Sequence, residues 1–359
     1  MVPDFGIFIL MQQRSYQRSS HEILHQAVEQ TRVADQLGFG AAWFAEHHFN
    51  NYGLCSSPLT MVAHCAAATK QIRLGSGVVI APLYTPARLI ADVAMVDQLS
   101  NGRLNLGIGA GYQHFEFERF GVNLAEAKDR TMEILDMLEL GLQQKKFSYD
   151  GQYYQQPMSA ISQRPYQSPM PPIWMTSMDP VLMNRAIRSG HHLFVSGSDS
   201  GYEKLLSARR IIDQMSRDNG KDPASAQVGM LHCAFASDRQ SEVDHYLDCV
   251  RYQRRVALSL RQRRAQIADD YMVQETPLEG ELSIEAMRDK LPVGPVSVVV
   301  ERLVRDIRAV RPKHVAVQTQ LGDLDHATML RQLELWAKEI IPAVHRELAR
   351  DEVPAPAMA

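Results

Sequence analysis

Ile72-Arg73-Leu74-Gly75-Ser76-Gly77-Val78-Val79-Ile80, followed one helix-length later by Arg103-Leu104-Asn105-Leu106-Gly107-Ile108-Gly109-Ala110-Gly111, decides how this chain is read. Both stretches are strand-length apolar runs without the in-and-out alternation of a half-exposed strand. Strands buried on both faces belong to a parallel sheet, and parallel neighbours need helical crossovers. The intervening segment agrees. Pro86 stands at a first helical turn, and the helical pattern runs to Leu99 before Asn101-Gly102 turns the chain. Glycine inside a strand weakens it, so Gly75, Gly77, Gly107, Gly109 and Gly111 mark either tight packing or the close approach of a flat ligand.

The same alternation extends in both directions. Further strands are expected at Phe5–Leu10, Ala41–Ala45, Ile173–Ser177, His192–Ser196, Val228–Phe235 and His314–Thr319. Helical periodicity covers 20–37, 58–69, 126–142, 180–189, 202–215, 241–260, 296–310 and 327–348. Eight strand-and-helix units predict closure into a (β/α)₈ TIM barrel, α/β in class, as a single domain over residues 1–350. The tail 351–359, rich in Pro and Ala, is expected to be disordered. Two connections, 149–172 and 261–292, exceed ordinary loop length and are expected to serve as insertions or a lid.

Composition narrows the function classes. Hydrophobic residues make up 45% and charged residues 22%, the balance of a globular enzyme. A formal net charge of −3 offers no basic field for nucleic acid or an anionic membrane, so neither partner is expected. The runs Arg251, Arg254, Arg255 and Arg261, Arg263, Arg264 read as solvated helix faces. Cys55, Cys65, Cys233 and Cys249 are scattered without C-x-x-C spacing and read as reduced thiols. The first ten residues lack a basic leader and read as a strand, and no run approaches the roughly 18 apolar residues of a span. A cytoplasmic protein is the expectation.

Four motifs invite chemistry. His21-Glu22-Ile23-Leu24-His25 has the form of a zinc-protease helix, but Ser19 or Ser20 is a natural N-cap. That places His21 in an exposed first turn, so no metal site is expected there or elsewhere. Gly107-Ile108-Gly109-Ala110-Gly111 resembles a dinucleotide fingerprint, yet Tyr112 stands where the next glycine would be needed. Its physical content survives: a flat ligand can come close at the C-terminal end of a barrel strand, which is the catalytic face. Glu46-His47-His48-Phe49 follows the second strand, where an inward imidazole is placed to exchange protons near neutral pH. Tyr112, Gln113 and His114 are candidate substrate-side groups, and His191-His192 reads as structural.

Taken together, these segments resemble the bacterial luciferase family. The likeness rests on Trp43 through Phe49, the stretch from Gly75 to Pro86, and Asp97-Gln98-Leu99-Ser100-Asn101-Gly102-Arg103 through Gly111. Phe117-Glu118-Arg119-Phe120-Gly121, Pro172-Ile173-Trp174 and Val293-Gly294-Pro295 extend it, in order, over residues 4–348. The resemblance implies a barrel, commonly a homodimer, that binds reduced flavin mononucleotide (FMNH₂) at its C-terminal mouth. A separate flavin reductase supplies the flavin, and oxygen added at flavin C4a oxygenates a small organic substrate. It implies His47 as the catalytic residue and a cis peptide at Gly77–Val78.

For the cofactor, the resemblance implies Ser76, Gly77 and Val78 with Gly109, Ala110, Gly111 and Tyr112 around the ring. It places Met175, Thr176, Ser177, Met178 and Asp179 near the phosphate, and Gln113 and His114 on the substrate side. Two positions depart from the family pattern: Ala110 stands where relatives carry Arg, and Asp179 where they carry Ser. Both changes weaken anion binding and leave the anchor open between the helix amides after Asp179, another basic group, and a low affinity that would suit a diffusible flavin. An F420-dependent oxidoreductase on the same barrel and a non-catalytic flavin-binding paralogue are the alternatives.

Overall fold

A computed structural model describes residues 2–197, 201–262, 267–268, 271–272 and 277–350. The tail 351–359, Arg263 and Arg264 lie outside the described residues. Eight parallel strands form a closed ring: β1 (Asp4–Ile9), β2 (Ala41–Phe44), β3 (Arg73–Ser76, resuming at Val79–Ile80), β4 (Leu104–Gly109), β5 (Ile173–Met175), β6 (His192–Ser196), β7 (Val228–His232) and β8 (His314–Gln320). β1 pairs with both β2 and β8, and β3 pairs with β4 at Leu74↔Leu104, so no edge is left open.

Strand alternation sorts the side chains into two cores. One set, including Ile7, Phe44, Leu106 and Val195, packs against the helices outside the ring. The other fills the ring: Ala41, Trp43, Trp174 and Ala316, with Phe8, Phe194 and Leu231. Trp43 meets Trp174 and Phe194 edge to face at 5.2 and 4.9 Å, and its indole N–H donates to His314 Nε2 at 2.9 Å. Gly75 exists for this packing, because a Cβ there would lie 2.3 Å from the Trp43 ring. The ring is therefore a filled core, and a binding site must lie at its rim.

The helices are α1 (Ser20–Gln36), α2 (Pro58–Ala68), α3 (Pro86–Leu99), α4 (His114–Phe120), α5 (Ala127–Gln143), α6 (Pro180–Ser189), α7 (Tyr202–Asp218), α8 (Gln240–Arg261), α9 (Ile284–Lys290), α10 (Val296–Val310), α11 (His326–Leu335) and α12 (Ile341–Ala349). The expected eight strands are all present, with four local differences. The third breaks at Gly77–Val78, whose peptide is cis. The seventh ends at His232, and Phe235–Ala236 instead pairs with Val293–Gly294. The connection after α5 holds an antiparallel hairpin, Phe147–Asp150 with Gln155–Ser159. The last helix carries a π turn at Trp336–Ile340, because Pro342 has no N–H for the carbonyl four residues back.

The basic run on α8 is not wholly solvated, as its pattern suggested. Arg255 is buried and pairs with both carboxylate oxygens of Glu281 at 2.7 and 2.6 Å, tying α8 to the second long connection. Among the described residues no helix is long and apolar enough to cross a membrane.

Candidate active site

At the C-terminal rim, β3 and β4 make a floor of backbone. The Ser76 hydroxyl is fully buried, donates to Gly107 O and accepts from Gly107 N, both at 2.9 Å. It offers nothing to a ligand, and what it contributes is the spacing of the two strands. Beyond it, the cis Gly77–Val78 peptide turns the chain into Val79–Ile80, which re-pairs with Ile108 and Gly109. A Cβ on Gly109 would lie 2.6 Å from Val78 Cγ2, and one on Gly111, at φ +77°, 2.5 Å from the Phe117 ring. Each glycine is required for this close layering.

Glu46 pins the turn from below. Its Oε2 accepts from Ile80 N–H and the Tyr84 hydroxyl at 3.0 Å each, and its Oε1 lies 2.7 Å from His48 Nε2. Burial pushes its carboxyl pKa up, against the opposite pull of His48. His48 is thereby committed to structure, and its ring also packs edge-on against Phe120.

His47 is engaged differently. Its Nδ1 lies 3.1 Å from Glu116 Oε1 and 3.0 Å from the Gln113 amide, and its ring packs edge-on against Tyr52 at 4.5 Å. Nε2 has no partner among the described residues. The ring is 9% exposed, while Glu116 and Gln113 are wholly buried. Tyr112 is 38% exposed, and its hydroxyl lies beside that of Tyr52 and 3.4 Å from the Gln113 amide. Burial raises both phenols, so they remain neutral hydrogen-bonding groups. Asn51 binds Met272 through both backbone atoms, N–H at 2.8 Å and C=O at 3.2 Å, linking the loop beside His47 to the second long connection.

A scan of family models matches residues 3–346 to the luciferase-like monooxygenases. The chain belongs to that family. An uncharacterized protein of Sinorhizobium fredii, y4vJ, is 48% identical over 97% of this chain and 99% of its own length. The oxygenase component of a flavin-dependent trigonelline monooxygenase from Acinetobacter baylyi is 33% identical over 56% of this chain and 57% of its own. Among solved structures, the oxygenating constituent of 3,6-diketocamphane monooxygenase from Pseudomonas putida, in complex with FMN, superposes with TM-score 0.78 at 20% identity, covering 95% of this chain and 99% of that one. An F420-dependent secondary alcohol dehydrogenase superposes with TM-score 0.73 at 19% identity, over 96% and 99%. The last two speak for the fold alone.

Within this luciferase-like frame, Gly77, Gly109 and Gly111 leave no room for a Cβ against Phe8, Val78 and Phe117, so the rim of β3 and β4 is layered backbone with few side chains. On the side expected for the phosphate, the start of α6 is engaged by the chain itself. Asp179 is the N-cap of α6, and its Oδ1 accepts from Val181 N–H at 2.9 Å and Leu182 N–H at 3.2 Å. The amides expected to hold a phosphate are taken by the chain's own carboxylate. Thr176 and Met178 are exposed, Ser177 is half-buried with its hydroxyl on Asp179 N–H, and Met175 is buried in the outer core.

His114 opens α4 half-buried, and Gln113 reaches His47 instead of solvent. His191 bonds Glu139 at 2.8 Å and His192 packs on Trp174, both structural as expected. In the H-E-x-x-H segment, Glu22 closes a capping box with Ser19 while His21 and His25 stay exposed. Glu116 went unread because its partners, His47 and His48, lie 69 and 68 residues away in sequence.

Proposed function

We propose that this chain is the oxygenase component of a two-component, FMNH₂-dependent monooxygenase, receiving reduced flavin from a separate reductase. The observation that carries the reading is His47: an almost buried imidazole, tethered at Nδ1 only, beside a glycine-lined floor with a cis peptide. The family match and the flavin-dependent oxygenase relative support it. Gly77, Val78, Gly109, Ala110, Gly111 and Tyr112 would hold the ring, and the segment from Met175 to Asp179 would lie toward the phosphate. Bound reduced flavin supplies the electrons that activate O₂ for transfer of one oxygen atom to a small organic substrate.

The protein's own part is to position, to exclude water and to manage a proton. The phenols of Tyr52 and Tyr112 close one side with neutral donors, and Gln113 and Glu116 hold His47 in place. The contacts from Asn51 to the Met272 backbone fix the loop beside His47 to a described part of the second long connection. A diffusible flavin agrees with a phosphate end that Asp179 leaves weak. We place the enzyme in the cytoplasm as a homodimer, with His114, half-buried at the start of α4, nearest the substrate and Gln113 turned to His47.

The test is stopped-flow reoxidation of anaerobic FMNH₂ by oxygen in the presence of excess protein. The native chain should delay recovery of oxidised-flavin absorbance relative to free FMNH₂, and His47→Asn should shorten that delay by about a hundredfold. Identical traces for native and variant protein would overturn the reading. The fold shared with an F420-dependent dehydrogenase favours a second possibility, which binding of F420 in preference to FMN would establish.

A further inference from the structure

The polar contacts of His47 determine which of its nitrogens carries hydrogen. Glu116 Oε1 lies 2.9 Å from the backbone nitrogen of His48 and 3.1 Å from His47 Nδ1. The peptide N–H only donates, so Oε1 is an acceptor, whether or not the far oxygen Oε2 holds a proton. An acceptor at hydrogen-bond distance requires hydrogen on Nδ1. The Gln113 amide, drawn with its nitrogen 3.0 Å from Nδ1, would set donor against donor, and its own buried oxygen has no partner. Turning that amide over removes the donor clash: its oxygen then faces Nδ1–H and the Tyr112 hydroxyl, and the amide atom without a protein partner becomes the nitrogen.

We infer that Glu116 is a positioning residue that locks His47 as the Nδ1–H tautomer and leaves Nε2 as a bare acceptor. The neutral ring therefore receives a hydrogen bond, or a proton, from a donor in the mouth and gives neither. When a proton moves onto Nε2, the donor keeps its electron pair and the positive charge on the ring faces the Glu116 carboxyl. That carboxyl is wholly buried, and its Oε2 has no protein partner among the described residues. The arrangement resembles the general logic of an imidazole oriented by a buried carboxylate. The inference rests on the proposed role of His47 for its functional meaning, but not for its structural content.

Histidine-ring ¹⁵N NMR of the flavin-free protein tests it, with the His47 signals identified as those lost in His47→Asn. The native protein should show Nδ1 protonated and Nε2 bare. Glu116→Val should turn the ring over to Nε2–H and lower kcat about 10²- to 10³-fold, with flavin affinity little changed. Glu116→Gln keeps an acceptor oxygen at the same place, so it should keep the tautomer and most of the turnover. A native spectrum with Nε2–H, or an unchanged tautomer in Glu116→Val, overturns the inference. If Glu116→Val does not fold, the native spectrum decides alone. The expected tautomer combined with undiminished turnover in His47→Asn would overturn the proposed function and leave the pairing standing.

Discussion

At Ser76 a single hydroxyl replaces a stretch of strand ladder. β3 and β4 pair at Leu74↔Leu104 and Gly75↔Asn105, and they resume one residue out of step at Val79↔Ile108. Across the gap, Ser76 Oγ takes the N–H of Gly107 and gives its own hydrogen to the Gly107 carbonyl. The approach is so close that a Cβ on Gly107 would lie 1.8 Å from Ser76 O. Ser76→Ala removes both bonds and leaves two buried backbone groups unpaired, which should cost about 1–3 kcal/mol. Urea unfolding followed by circular dichroism would show it as a lower midpoint, and an unchanged midpoint would mean the bridge contributes nothing. Gly75 and Gly107, open in sequence to packing or ligand approach, are thus spent on Trp43 and Ser76.

Among the elements, α6 carries the clearest consequence for function. Its N-cap is Asp179, a carboxylate that occupies the Val181 and Leu182 amides, and β4 beside it is followed by Ala110, which carries no charge. The two strand ends are neighbours, since Ile108 pairs with Met175. Ser also caps helices well, so Asp179→Ser should leave folding nearly unchanged while removing the opposing charge. Combined with Ala110→Arg, it should raise FMN affinity about tenfold, read by quenching of flavin fluorescence, with riboflavin affinity unchanged. A parallel gain for riboflavin would place the effect away from the phosphate. Strands and long helices of this kind were legible, because buried parallel strands are continuous apolar runs and their crossovers keep helical periodicity. The seven-residue α4 is too short to show a period, and its value lies in a contact with His47 made only on folding. Asp179 was visible in sequence as an anomaly, but its engagement as a cap depends on backbone geometry.

The whole barrel is held from its interior, and that interior makes its stability depend on pH. His192 lies on the inner face of β6 with its ring 4.1 Å from that of Trp174, and its Nδ1 is buried without a partner. Burial, and then the positive charges of His191, Arg73, His314 and Lys313, push its pKa down from 6.5 to about 4. The unfolded chain, where His192 titrates normally, therefore takes up the proton first as pH falls. Its contribution is complete above about pH 6.5 and is lost progressively toward pH 4. With the imidazole only half-buried, the loss at pH 5 should be about 1–2 kcal/mol. Carboxylates titrate over part of this range too, so the test is a comparison of variants. Urea midpoints at pH 7 and pH 5 should differ less for His192→Gln than for the native chain, because the glutamine gains no proton. Equal differences for the two proteins would show that the interior histidine is not what makes the barrel sensitive to acid.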